Sequence, residues 1–255
     1  MTNGLFTSIA ENAAYVAGFV IIIAIAFFVS IACEKLSQVI NKKSEPMFTT
    51  RKMVVIGTFS AISVVLMMFE IALPFAPSFY KLDLSDLPAL IGAFAFGPMA
   101  GVMIEFIKIL LELVIRGTQT AFVGELANFV IGCCLILPSS IIYTFKKTRT
   151  MALISCLIGT LTITIVGSLM NAFYLLPAYG ALYGMPVDAF VQMGHEVNAN
   201  VTSVWSLVFY CVVPLNLIKG GIDSIITVLI YKRISVVLKN ISFEYSGSKS
   251  KAKAR

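Results

Sequence analysis

The chain has 255 residues, of which 58% are hydrophobic and only 13% charged, with a formal net charge of +6. A soluble domain carries about 45–50% apolar and about 25% charged residues, so this composition excludes a water-soluble fold for the bulk of the chain. Runs of about 20 apolar residues, the length that crosses a hydrocarbon core of about 30 Å, recur six or seven times, too often for all to be buried in a protein of 27.7 kDa. The expected fold is all-α: a polytopic membrane protein lying in the lipid bilayer, with no soluble domain attached.

In chain order, the first apolar run covers about residues 13–33. Residues 1–34 contain no Lys or Arg and no small-residue cleavage site follows, so the run reads as a retained helix and not a removed signal. A basic connector over 34–52 is broken by Pro46. A second helix is expected over about 51–73, closed by Pro74 and Pro77. The loop to Leu87 carries Tyr80, Lys81, Asp83 and Asp86. A short segment, 88–96, stops at Gly97-Pro98, and the next helix covers about 99–115. A polar loop then leads into a helix over 125–145. A long helix over 151–176 is expected to stop at Pro177, followed by a polar insertion over 179–200. The last helix, 201–234, is too long for one straight span, so a kink is expected near Pro214. Residues 236–255 are basic, rich in Ser and Lys, and expected to be disordered. No internal repeat is visible, which argues against a repeat-built secondary transporter. The cysteines lie inside apolar runs without a C-x-x-C spacing, so no disulfide and no metal site are expected.

Charge gives the orientation. The connector, residues 146–150 and residues 232–255 together hold fifteen of the nineteen Lys and Arg residues; the others are Lys81, Lys108, Arg116 and Lys219. Basic loops stay in the cytoplasm, which places the N-terminus outside, the C-terminus inside and seven spans between them. The loops around 75–87, 116–124 and 178–200 then face outward, where an external ligand arrives. The positive charge is thereby assigned to loops, and no nucleic-acid partner is expected.

Charged groups within spans cost about 2.5–3.5 kcal/mol each on insertion scales, so each requires a reason. Glu105, Lys108, Glu112 and Arg116 fall on one helical stripe of alternating sign. They read either as a self-neutralising ladder between helices or, at the Glu112/Arg116 end, as a border of a ligand site. Asn216, Lys219 and Asp223 share one face of the last helix, with Lys219 either paired to Asp223 for packing or directed at a ligand. Asn171 sits mid-helix, with donors and acceptors that must be met across helices or by a ligand. Glu125 and Asn128 open a helix at the outer surface, as first-turn charge and cap or as ligand contacts. Gly57 and Ala61 form a small-xxx-small pair that permits close helix approach. The chain has no G-x-x-x-x-G-K-[ST] loop, H-E-x-x-H or G-x-S-x-G, so it has neither an ATPase of its own nor an enzymatic constellation.

Five separated stretches, in order over about 51–235, resemble the riboflavin-specific S components (the RibU proteins) of energy-coupling-factor (ECF) transporters. They are Lys81-Leu82-Asp83-Leu84-Ser85-Asp86-Leu87-Pro88-Ala89-Leu90-Ile91-Gly92; Phe96-Gly97-Pro98-Met99-Ala100-Gly101, followed by Glu105 and Lys108; Gly124-Glu125-Leu126-Ala127-Asn128-Phe129; Asn171-Ala172-Phe173-Tyr174-Leu175-Leu176-Pro177-Ala178-Tyr179; and Pro214-Leu215-Asn216-Leu217-Ile218-Lys219-Gly220. The resemblance implies a six-helix core over 51–235 that binds riboflavin near its outer face. The helix and connector of residues 1–50 are then an addition. It implies a transmembrane T component and two cytoplasmic ATPases as partners, and toppling of the S component during transport. Gly57 and Ala61 occupy the place that contacts the T component, although the family pattern prefers Ala at both. No cofactor is implied, riboflavin being the transported substrate. The resemblance sets Asn171, Asn216 and Lys219 against the ring edge, with Leu82 and Asp83 in the covering loop. The chemistry agrees: the flavin's pyrimidine edge presents two carbonyl oxygens and one N–H, an Asn amide both donates and accepts, and Lys only donates. Two alternatives stay open at this point, an S component for another vitamin and a stand-alone ion-coupled carrier.

Overall fold

In the computed structural model the backbone is described for residues 13–40, 42, 46, 48–118 and 120–253. Side chains are described for residues 17–40, 42, 46, 48–118 and 120–233. Continuous apolar sequence, which in lipid must satisfy its backbone internally, folds as helix. The elements are α1 (Ala13–Ile40), α2 (Thr50–Met68), strands β1 (Ile71–Ala72) and β2 (Lys81–Leu82), α3 (Asp86–Phe96), α4 (Pro98–Arg116), α5 (Val123–Phe145) and α6 (Arg149–Met170). A π turn (Asn171–Leu175) leads into α7 (Leu176–Tyr183), followed by α8 (Val187–Val197) and α9 (Val204–Leu207). A second π turn (Val208–Val212) leads into α10 (Val213–Lys253).

Residues 17–40, 50–68, 123–145, 149–183 and 204–233 are long and apolar enough to cross a membrane. Helix α4 is the most amphipathic long helix and keeps Glu105 and Lys108 buried inside the bundle, while Arg116 at its end is exposed. Helix α3 has 11 residues, about 16 Å at 1.5 Å per residue, and covers roughly half of the hydrocarbon thickness. The loop ahead of it therefore dips into the bundle. Helix α2 packs on α3 and α4, α4 on α5, α5 on α6, α6 on α10, and α10 returns to α3. Helix α1 lies outside this ring against α4 and α5, with Phe19 edge-on to Phe129 and Phe27 edge-on to Phe106. Val20, Val54, Val114, Leu157, Ile225 and Leu229 are exposed, as a lipid-facing surface requires.

At the basal end, Phe94 stacks on Tyr143 with centroids 4.4 Å apart, and Tyr231 meets both rings edge-on. The α3–α4 corner at Gly97 has φ +104°, a conformation open to glycine. The Glu34 carboxylate of α1 accepts the Met99 N–H at 3.3 Å and pairs with Lys52 at 3.4 Å. A β-carbon on Gly97 would come within 2.9 Å of Glu34 Oε2.

Several boundaries differ from the sequence expectation. Helix α2 ends at Met68, before Pro74 and Pro77, because the chain turns into an antiparallel pairing of Ile71 with Leu82 and Ala72 with Lys81. Pro177 does not stop its helix. It lies in the first turn of α7, just after the π turn, where its missing N–H matters least. Pro214 likewise follows a π turn, so the irregularity expected there takes that form. The polar insertion contains α8, whose Phe190, Val191 and Gly194 are buried. The disorder expected over 236–255 falls where side chains are not described, and the backbone of α10 runs on as helix to Lys253. The unit assigned to residues 1–50 lies in part outside the described residues.

Candidate ligand-binding site

The two π turns touch each other and set the level of the site. Asn171 opens the first. Its Nδ2 donates to Gly167 O at 3.1 Å and its Oδ1 accepts the Tyr80 hydroxyl at 2.9 Å. Asn216 lies just beyond the second and is buried, and its Nδ2 has no hydrogen-bond partner. Gly167 makes room for it, since a β-carbon there would approach Asn216 Nδ2 to 2.7 Å. One turn further along α10, Lys219 Nζ lies 3.3 Å from Asp83 Oδ2 and 3.0 Å from Asp86 Oδ2. Asp83 is held in turn by the Ser85 N–H, which its Oδ1 accepts at 2.8 Å.

Beneath this layer is a second, closed one. Lys108 Nζ donates to Asp86 Oδ1 at 2.7 Å and to Ser85 Oγ at 3.1 Å, and pairs with Glu105 at 2.6 Å. Asp86, Glu105 and Lys108 are each at most 1% exposed. Paired charges are how a bundle interior tolerates ions, because an uncompensated one is far more costly.

Above Lys219 opens a cavity of about 720 Å³, within the range of about 300–1,000 Å³ common for small-molecule sites. Its wall brings together Asn171, Asn216, Lys219, Asp83, Glu125 and Asn128 from four separated segments. Phe79, Tyr80, Tyr179, Phe190 and Leu215 supply flat and apolar surface. At the mouth, Glu70 pairs with Lys81 at 2.9 Å and Arg116 at 2.6 Å. Partial burial pushes the Glu70 carboxyl upward, but these two cations outweigh it and hold the group below the usual carboxylate range.

Of the residues singled out in the sequence, Leu82 is not part of this wall; it is buried in β2. Gly57 and Ala61 lie on the exposed side of α2, where a β-carbon on Gly57 would meet nothing within 4 Å. The pairing of Lys219 with Asp223 is corrected: Lys219 turns to the Asp83/Asp86 side, and neither oxygen of the fully buried Asp223 has a hydrogen-bond partner. The self-contained ladder on α4 is corrected as well. Only Glu105 and Lys108 pair within it; Lys108 also reaches α3, and Arg116 reaches Glu70 beyond the end of α2. Sequence reasoning missed Glu70 and the Tyr80–Asn171 bond, for which no local pattern exists. Helical spacing cannot foresee partners supplied by a folded-back loop.

A family model described as "ECF transporter, substrate-specific component" matches residues 51–231. The chain belongs to this family. It is 32% identical over 191 residues to the riboflavin transporter RibU of Staphylococcus aureus (strain TCH60), covering 75% of this chain and 94% of that protein. It is 31% identical over 185 residues to the riboflavin transporter FmnP of Bacillus subtilis (strain 168), covering 72% and 92%. A solved S component of a bacterial ECF transporter superposes with a TM-score of 0.58 at 34% identity, covering 74% of this chain and 97% of that one. Helix α1 precedes the part of this S component that the family model spans.

Proposed function

We propose that this chain captures riboflavin at the outer membrane surface and passes it inward together with a T component and two ATPases. The observation that carries the reading is the convergence of Asn171, Asn216 and Lys219 on one cavity, with an unpartnered amide donor on Asn216. A flavin's carbonyl edge satisfies that amide and the Lys219 ammonium, and its remaining ring surface suits the aromatic and aliphatic walls. The printed names of the relatives point to the same vitamin. The basic loops orient the cavity outward, with the N-terminus outside and the C-terminus inside. Leu82 and Asp83 belong to the covering loop, and Gly57 and Ala61 to the face that meets the T component.

An absorption spectrum of the purified protein tests the reading. A flavin band should co-purify, or riboflavin should restore it after washing, in preference to thiamine, folate or biotin. Uptake into liposomes should require the T component and ATPases. Saturable riboflavin uptake driven by an ion gradient without these partners would falsify the proposal.

A further inference from the structure

Glu112 lines the cavity from α4, and its Oε2 is buried with no hydrogen-bond partner. The two basic residues one turn away on the same stripe are engaged elsewhere. Lys108 is held by Asp86 and Glu105, and Arg116 donates to Glu70 at 2.6 Å. Across the cavity wall Glu125, on α5, accepts the Thr120 hydroxyl at 2.9 Å through Oε2. A carboxylate is an acceptor with several lone-pair sites, and a buried acceptor left without a donor is costly.

We propose that Glu112, assisted by Glu125, receives the hydroxyl-bearing chain of the ligand. This rests on the reading of the cavity as a flavin site and extends it from the ring to the tail. The wall's unmet donor and unmet acceptor lie on different helices, Asn216 Nδ2 on α10 and Glu112 Oε2 on α4. At the deep end, Lys219 and Asn216 Nδ2 donate to ring carbonyls. Glu112 lies just over one helical turn, about 6 Å, from the level of Lys108, nearer the mouth. There Lys81 and Arg116 are taken up by Glu70, which leaves Glu112 and Glu125 as acceptors, and a polyol is a row of O–H donors. A ring without such a chain leaves Glu112 unmet.

Fluorescence-quenching titrations with riboflavin and with lumiflavin, the same ring bearing a methyl in place of the polyol, test the inference. Wild-type protein should bind riboflavin at least fivefold more tightly than lumiflavin. Glu112→Ala should weaken riboflavin at least fivefold and lumiflavin less than twofold, so that lumiflavin binding also reports an intact fold. Glu112→Gln keeps one acceptor oxygen and should recover part of the loss. Equal weakening of both flavins, or of neither, overturns the assignment of Glu112 while leaving the flavin site standing. Failure of the wild-type protein to bind either flavin overturns both.

Discussion

Lys219 Nζ on the last helix lies 3.3 Å from Asp83 Oδ2 in the loop before α3, joining positions 136 residues apart in sequence. The same ammonium is 3.0 Å from Asp86. One cation thereby fixes the loop, the start of the half-length helix and the floor of the cavity.

Lys219→Ala should weaken riboflavin binding at least tenfold, about 1.4 kcal/mol, by fluorescence quenching. It also leaves buried carboxylate charge uncompensated, so the ligand-free variant should melt at lower temperature than wild type. Unchanged affinity in a folded variant would remove Lys219 from the site.

Lys108 serves the architecture and not the ligand. Lys108→Met strands Glu105, leaves Asp86 with Lys219 alone, and should cost about 3–5 kcal/mol, read as a large fall in melting temperature in detergent. The triple change Asp86→Asn, Glu105→Gln, Lys108→Met should be milder than the single one.

Tyr80→Phe deletes the hydrogen bond that orients the Asn171 amide. The expected loss is about 1 kcal/mol, roughly fivefold in riboflavin affinity, with little change in melting temperature.

The mouth should be acid-sensitive through Glu70. Its folded-state pKa is lowered from the ordinary 4.5 by Lys81 and Arg116, so its contribution is fully present above that value and is lost as pH falls through the lower folded-state value. Protection of residues 69–85 against hydrogen exchange, corrected for the intrinsic pH dependence of exchange, should be flat from neutral pH down to about 5 and should fall only in stronger acid. Glu70→Gln should lower that protection at neutral pH and remove the acid step.

Gly57→Leu should block co-purification of the T component while leaving riboflavin affinity within twofold, because the side chain projects into open space on α2.

The helices were legible because apolar runs of spanning length and basic loops report directly on the bilayer. Asn171, Asn216 and Lys219 were legible because a polar group in such a run stands out by its cost. The loop of residues 69–85 was not. Its short β pairing, its descent into the bundle and the Glu70 and Asp86 ion pairs depend on partners far away in sequence, and Pro74 and Pro77 signalled only a break. Pro177 misled for a related reason: a π turn upstream let the helix absorb a residue that ordinarily ends one.

The buried layer of Asp86, Glu105 and Lys108, backed by the stacked rings of Phe94 and Tyr143, gives the cup a closed floor among the described residues. On the proposed function, such a floor favours release of cargo through the opening by which it entered. On that reading, delivery across the bilayer would require the opening itself to be brought to face the other compartment.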